Sequence, residues 1–350
     1  MRFGLIGLGA IGQVRRAALA RTPGCTLTAV FDVDPQRVTG LAPDIAVFPS
    51  AEALLSSAAC DAVIISTLPN SHEHLAIAAL ENGKHVLVEK PMANSLAACR
   101  RMVETARRSR RILTVGFNHR YFAGIKAVRA AIDSGAIGKL SYIRAYAGHV
   151  GLAEFKAPWM YSRDVMGGGT LVDNGIHVLD LLCHLMGGVD HVSGTISSSI
   201  WQLDVEDNAF ALLSNRAGVI GHLHASWSEW KGYRFFIEAY GDRGMARCYY
   251  TPMLSTLITM DRPGGRRHVR RKFYPFAMVR QELFGWQSTV VRTFVEEFQD
   301  FVALAEGRSK SGIIARGEDG LRVAEIVEAV YHSAQSDQSL ALYPATDSQV

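Results

Sequence analysis

The first dozen residues constrain this chain most. The apolar run 3–6 leads straight into Gly7-Leu8-Gly9-Ala10-Ile11-Gly12, a G-x-G-x-x-G at a strand-to-helix junction, and Asp32 ends the next apolar run 20 residues after Gly12. In that setting Gly7 permits a tight turn, Gly9 lets a pyrophosphate approach the backbone, and Gly12 lets the helix pack closely. The opening helix turn, with Ala10 and Ile11, offers unpaired N–H groups and the positive end of its dipole to phosphate. Asp32 can accept hydrogen bonds from both adenosine ribose hydroxyls and would repel a 2′-phosphate, so the cofactor expected is NAD rather than NADP. Arg37, five residues on, is read either as an adenine contact or as a solvated arginine.

Short apolar runs at 3–6, 27–31, 62–65, 86–88 and 112–115 alternate with helix-like segments, the order of a doubly wound parallel sheet buried on both faces. Beyond residue 120 the pattern changes. Runs at 140–146, 192–200, 208–213, 219–227, 235–240, 245–250 and 254–260 follow one another through turn-rich links, with helical spacing at 171–186, 288–306 and 317–336. The reading is α/β throughout: a Rossmann domain over residues 1–120, then an α/β domain over 121–350 built on a large, mostly antiparallel sheet. A chain of 350 residues exceeds what one core usually holds, which agrees with two domains.

Composition removes several classes of function. A net charge of +4 without a long basic tail implies neither nucleic acid nor an anionic membrane as partner, and no apolar run has the length of a membrane span. The five cysteines, Cys25, Cys60, Cys99, Cys183 and Cys248, are scattered without a C-x-x-C pair, and no charged leader precedes an apolar core at the start. A cytoplasmic protein with reduced thiols is expected.

Further motifs fall at strand ends, where doubly wound sheets bind ligands. They are Thr67-Leu68-Pro69-Asn70-Ser71-His72, Glu89-Lys90-Pro91 and Gly116-Phe117-Asn118-His119-Arg120. Together with residues 167–177, which read Gly-Gly-Gly-Thr-Leu-Val-Asp-Asn-Gly-Ile-His, they resemble the glucose-fructose oxidoreductase, inositol dehydrogenase and rhizopine catabolism (Gfo/Idh/MocA) family over essentially the whole chain. The E-K-P tripeptide combined with D-x-G-x-H is the most specific part. The resemblance implies reversible oxidation of a secondary alcohol of a sugar, inositol or nucleotide sugar. It implies that Thr67, Asn70 and His72 line the dinucleotide, that Glu89 and Lys90 approach nicotinamide and substrate, and that Asn118 and Arg120 border the same cleft. It also implies a cis Lys90–Pro91 bond. His72 has a plain alternative as a polar residue opening its helix.

The catalytic set expected is Lys90, Asp173 and His177. Alcohol oxidation needs a base within hydrogen-bond reach of the hydroxyl, and an imidazole accepts a proton near neutral pH. Lys90 can stabilise a developing alkoxide, and Asp173, one helical turn before His177, can hold the imidazole or a substrate hydroxyl in register. Asn174, between them, is a further candidate for substrate contact. Trp159 and Arg163 precede the glycine run in a loop and are candidates for substrate contact, Trp159 equally as a packing anchor.

Other features carry less. Asp173, His177, Asp180 and His184 share a helical face, but a metal would need another ligand that nothing in the sequence supplies, so no metal is expected. Arg262, Arg266, Arg267, His268, Arg270, Arg271 and Lys272 surround Pro263-Gly264-Gly265 and read first as a solvated hairpin, second as a seat for an acidic substrate. The later sheet has two faces and helices enough for one, so a homodimer or homotetramer is expected. Two alternatives to net oxidation stand at this point: a redox-neutral enzyme that oxidises, eliminates an aglycone and re-reduces, and an NAD(H)-binding sensor without chemistry.

Overall fold

The computed structural model describes residues 1–153, 157–250, 253–285, 287–308 and 312–342; the expected end of the second domain, 343–350, lies outside them. In chain order the first elements are β1 (Arg2–Ile6), α1 (Ala10–Leu19), β2 (Thr26–Phe31), β3 (Ala46–Val47), α2 (Ala51–Ser56) and β4 (Ala62–Ile65). There follow α3 (His72–Glu81), β5 (His85–Val88), α4 (Leu96–Ser109), β6 (Leu113–Val115), α5 (Ala123–Asp133) and β7 (Leu140–Gly148). Three helices come next, α6 (Arg163–Met166), α7 (Thr170–Asp173) and α8 (Gly175–Met186). Then come strands β8 (His191–Ser197), β9 (Asn208–Ser214), β10 (Ile220–Ser226), β11 (Arg234–Gly241), β12 (Gly244–Tyr250), β13 (Leu254–Met260) and β14 (Arg267–Phe273). The chain ends with α9 (Pro275–Phe284), α10 (Gln287–Ala305), α11 (Gly317–Ser336) and β15 (Leu340–Ala341).

Two compact units result. The first holds Met1–Tyr121, Asp164–Gly167 and Val279–Arg322; the second holds Phe122–Arg163, Gly168–Met278 and the described residues from Val323 on. The boundary expected near residue 120 therefore is not the only one. Residues 279–322, read above as part of the second domain, belong to the first, because α10 carries Phe294, Phe298 and Phe301 into the core formed by Phe3, Leu5, Val14 and Ala18. Phe3 meets Phe298 and Phe301 with ring centroids 5.7 Å apart. Fully buried aromatics contribute about 1.5–3 kcal/mol each, which is ample to hold one helix. Periodicity identifies such a helix but not the sheet it packs on.

In the first unit the six strands are parallel in the order β3-β2-β1-β4-β5-β6, the doubly wound dinucleotide-binding order. Its central strands are buried on both faces, as continuous runs such as Ala62–Ile65 require. The second unit has nine strands in the order β14-β13-β12-β11-β7-β10-β9-β8-β15, with β7 and β10 the parallel pair at its centre and every other pair antiparallel.

Register explains its two faces. Cys248, Ile237, Ala145, Leu223 and Ala211 pair directly across five strands, and all are buried, with α8 over β7 and β10 and α5 over β12. One residue along, Tyr249, Phe236, Tyr146, His224 and Phe210 form a row on the opposite face, rings 4.1–5.6 Å apart. The basic cluster lies on the β13–β14 hairpin, and all seven residues of β14 are exposed.

Candidate active site

The cofactor end is assembled at the carboxyl edge of β1, β2 and β4. Gly7 takes φ +90°, and a Cβ at Gly12 would strike the Gly7 carbonyl, so both positions need glycine. Helix α1 starts at Gly9 without a capping side chain, and among the described residues a Cβ at Gly9 would meet only Arg37 Nη1, at 3.5 Å. The N–H groups of its first turn, including those of Ala10 and Ile11, thus have no capping side chain, the arrangement in which helix starts receive anions. Asp32 accepts from Leu8 N–H at 2.6 Å and from Asp34 N–H at 2.8 Å, which aims its carboxylate from the end of β2. Arg37 spans Asp32 at 3.7 Å and Asp34 at 3.3 Å, so it is an ion-pair partner rather than a merely solvated side chain. These residues suit a dinucleotide.

After β4, Thr67 shares a hydrogen bond with Ser71 at 2.6 Å and Asn70 is exposed. His72 is fully buried, with Nδ1 3.0 Å from the Pro91 carbonyl and Nε2 3.2 Å from the Thr67 carbonyl, and burial pushes its pKa down. It clamps the segments after β4 and β5 together.

Lys90, two residues past β5, is half-buried, and its bond to Pro91 is cis. His119 is pushed down to about 3 by burial and then by the charge of Lys90, so a neutral imidazole faces the ammonium. Glu89 is turned inward: Oε1 accepts from Arg15 Nε at 2.6 Å and Oε2 from the Lys90 N–H at 3.3 Å. Asn118 and Arg120 were expected to border the cleft, yet both are buried. Asn118 donates to Thr293 Oγ1 at 3.0 Å, while Arg120 donates to the Ile313 carbonyl at 3.2 Å and pairs with Asp319 at 3.4 Å. They tie the turn after β6 to the C-terminal part of the same unit.

In the second unit the site grows from the central parallel pair. Gly148 and Ser226, the last residues of β7 and β10, are register partners, so His149 and Trp227 emerge side by side. Asn174 donates to the carbonyls of Ala147 and Ser226, both at 3.2 Å, and accepts from Thr170 Oγ1 at 2.7 Å. Asn174 thus fixes the break between α7 and α8 onto those strand ends. That places Asp173, whose Oδ2 accepts from His149 Nε2 at 3.0 Å and from Trp227 Nε1 at 3.1 Å. Because the Gly151 N–H donates to His149 Nδ1 at 3.0 Å, the imidazole proton lies on Nε2.

Aromatic groups gather round this carboxylate. Tyr161 meets the Trp227 ring edge-on at 5.2 Å, and burial, with Asp173 second, pushes its hydroxyl up to about 12. The Tyr233 hydroxyl is likewise raised, by burial, then Tyr250 and Asp173. His177 stands half-buried in the first turn of α8, four residues after Asp173. Trp159 is 39% exposed; Arg163 is exposed, donates to the Asp204 carbonyl at 3.3 Å and lies over the Tyr331 ring.

Buried Glu206 accepts from the N–H groups of Gly169 and Leu171, each at 3.0 Å, and from Tyr331 Oη at 2.9 Å, and so caps α7 from another part of the unit. Sequence reasoning passed over His149, Tyr233, Glu206, Arg15 and Glu297. Among the described residues no cluster of His, Cys, Asp and Glu has the geometry of a metal site, and no helix is long and apolar enough to cross a membrane.

The Gfo/Idh/MocA oxidoreductase family, NAD-binding Rossmann fold, matches residues 1–117, and the family's C-terminal domain matches residues 125–247. Inositol 2-dehydrogenase of Pseudomonas fluorescens is 31% identical over 279 residues, covering 75% of this chain and 80% of that protein. Myo-inositol 2-dehydrogenase of Thermotoga maritima is 27% identical and covers 98% of both chains. The structure of levoglucosan dehydrogenase in complex with NADH and levoglucosan superposes with a TM-score of 0.85 at 23% identity, over 97% of this chain and 99% of that one. The chain belongs to the Gfo/Idh/MocA oxidoreductase family and is an NAD-dependent enzyme of the dehydrogenase class.

Proposed function

We propose that this enzyme oxidises a secondary hydroxyl of a cyclic polyol or sugar, with inositols the first substrates to test. The observation that carries the reading is the Asp173 carboxylate, oriented by two N–H donors among tyrosine and tryptophan rings, with His177 in the first turn of the next helix, α8. Such a carboxylate accepts hydrogen bonds from substrate hydroxyls, and aromatic faces suit the C–H faces of a ring. The two inositol dehydrogenase relatives support the substrate class.

NAD, when bound, supplies the hydride acceptor at C4 of its nicotinamide. The residues of the chain do the rest. Gly7, Gly9 and Gly12 with Ala10 and Ile11 receive the diphosphate, Asp32 the ribose hydroxyls, and Thr67 and Asn70 the nicotinamide side of the dinucleotide. Lys90 stabilises charge on the reacting oxygen, His177 takes the hydroxyl proton, and Asp173 holds the substrate hydroxyl in register. Trp159, just before α6, and Arg163, at its start, serve substrate choice. Screening inositol isomers and monosaccharides for NADH formation tests the reading; production of NADH from at least one is expected, and a protein that binds NADH but reduces NAD with none would overturn it.

A further inference from the structure

A cation in the apolar stripe of α1 meets an anion in the apolar stripe of α10. Arg15 stands at helical spacing from Gly12, Ala18 and Leu19, and Glu297 from Phe294 and Phe301, with Phe298 next to it in the chain; both are at most 1% exposed. Arg15 Nη1 donates to Glu297 Oε2, its Nε donates to Glu89 Oε1 at 2.6 Å, and the Phe294 ring lies 3.6 Å from its Cζ. The site is built for the guanidinium. A Cβ at Gly116 would come within 2.5 Å of Arg15 Nη2 and 3.0 Å of Glu89 Oε2.

We propose that Arg15 and Glu297 are positioning residues for Lys90, acting through Glu89. One carboxylate would suffice to neutralise Arg15. Two hold separate edges of its planar fork, which fixes the direction from which Glu89 is gripped. Glu89 in turn accepts the Lys90 backbone N–H with its other oxygen, so the contact chain runs from α10 to the turn that bears the lysine. The inference rests on the catalytic reading of Lys90 given above.

The grip responds to protons. Burial pushes the Glu297 carboxyl up to about 7, opposed by Arg15 and Arg120 and reinforced by Glu89. The charged and titratable groups facing it are Arg15 on α1, Glu89 after β5, Arg120 and Tyr121 after β6, and Asp300 on α10, which accepts from Tyr121 Oη at 2.9 Å. With Glu297 protonated, Arg15 has one anionic partner; as pH rises through neutrality it gains the second and the turn is held from both sides.

The test is Glu297→Gln, which keeps size and an acceptor but not the charge, together with Arg15→Lys, whose single ammonium cannot present the same fork. Near pH 8.5 each variant should lose about 10- to 100-fold in kcat, the range a slightly misplaced catalytic group costs, with KM changed far less. The ratio of wild-type to Glu297→Gln kcat should fall toward one as pH drops to about 5.5, where wild-type Glu297 is itself protonated. Glu297→Asp, which retains the ionisable group, should restore the pH dependence of that ratio. Two readouts need no substrate. The rate of Lys90 acylation, followed by peptide mass spectrometry, should rise severalfold in Glu297→Gln at alkaline pH and match wild type at acid pH. A raised carboxyl value stabilises the fold at low pH and loses that contribution as pH climbs through it, so the Tm of Glu297→Gln relative to wild type should rise between about pH 5 and about pH 8. A pH-independent kcat ratio, equal Lys90 acylation, or a flat Tm difference would overturn the proposal. If wild type oxidises no polyol, the functional reading fails alone, and acylation and Tm still decide the positioning role.

Discussion

His149 Nε2 lies 3.0 Å from Asp173 Oδ2, and the Gly151 N–H on the far side of the ring fixes the imidazole as the donor of that bond. Trp227 Nε1 reaches the same oxygen at 3.1 Å, so the carboxylate is held by two groups that emerge from adjacent parallel strands. His149→Ala removes a charge-assisted hydrogen bond, of about 1.5–3 kcal/mol, from a group proposed to align the substrate. We expect kcat/KM to fall by about 10- to 100-fold. Steady-state kinetics on a substrate found by screening, with circular dichroism to check the fold, would measure it. Unchanged kinetics in a folded variant would remove Asp173 orientation from the account.

Asp32 is aimed by two backbone N–H groups and is flanked by Arg37 at 3.7 Å. In Asp32→Ala the ribose loses its acceptor, the 2′-phosphate loses its repulsion, and Arg37 loses an anion it now pairs with. NAD affinity should drop and NADP affinity should rise, with Arg37 released to meet the phosphate. Paired titrations of both cofactors check this; an unchanged preference would mean that another residue selects the cofactor.

One face of the second unit's sheet is covered by α5 and α8, and the other carries the aromatic row from Tyr249 to Phe210. Around it Leu212 is 55% and Ile220 50% exposed. The face also carries the ion-paired Arg144, Glu238 and Arg247, but its aromatic row and exposed aliphatic side chains are costly to leave in water, and a second copy of the chain is the expected cover. Light scattering at micromolar concentration should report a dimer or tetramer, and Leu212→Glu, which places a charge on this face beside the aromatic row, should shift the population toward monomer. A monodisperse monomer for wild type would refute this.

The parallel sheet and its glycine turn were legible because they depend on local rules: buried strands read as apolar runs, and a phosphate turn needs glycine at fixed spacing. Asp173, His177 and Lys90 were legible as residue types at strand and helix ends. The roles of His72, Asn118, Arg120 and Asn174 were not, since each is a polar side chain whose partners are carbonyls, a hydroxyl or an acid distant in sequence. His149 and Trp227 join at Asp173 only because β7 and β10 pair in parallel across some 80 residues, which no local pattern encodes. Arg15 and Glu297 did leave a signal: each is a charge inside an apolar helical stripe, and two such interruptions of opposite sign in one chain point to a buried pair.

The central claim is hydride transfer from a ring carbon to NAD. An inositol deuterated at every carbon, incubated with the enzyme and NAD, tests it in one mass measurement on the recovered cofactor. The account predicts one deuterium per NADH formed, and Lys90→Ala or His177→Ala should slow its appearance by about 100- to 1,000-fold while NADH affinity changes little. Screening must first show that an inositol is turned over; substrate consumption with no deuterium in the cofactor would contradict the claim.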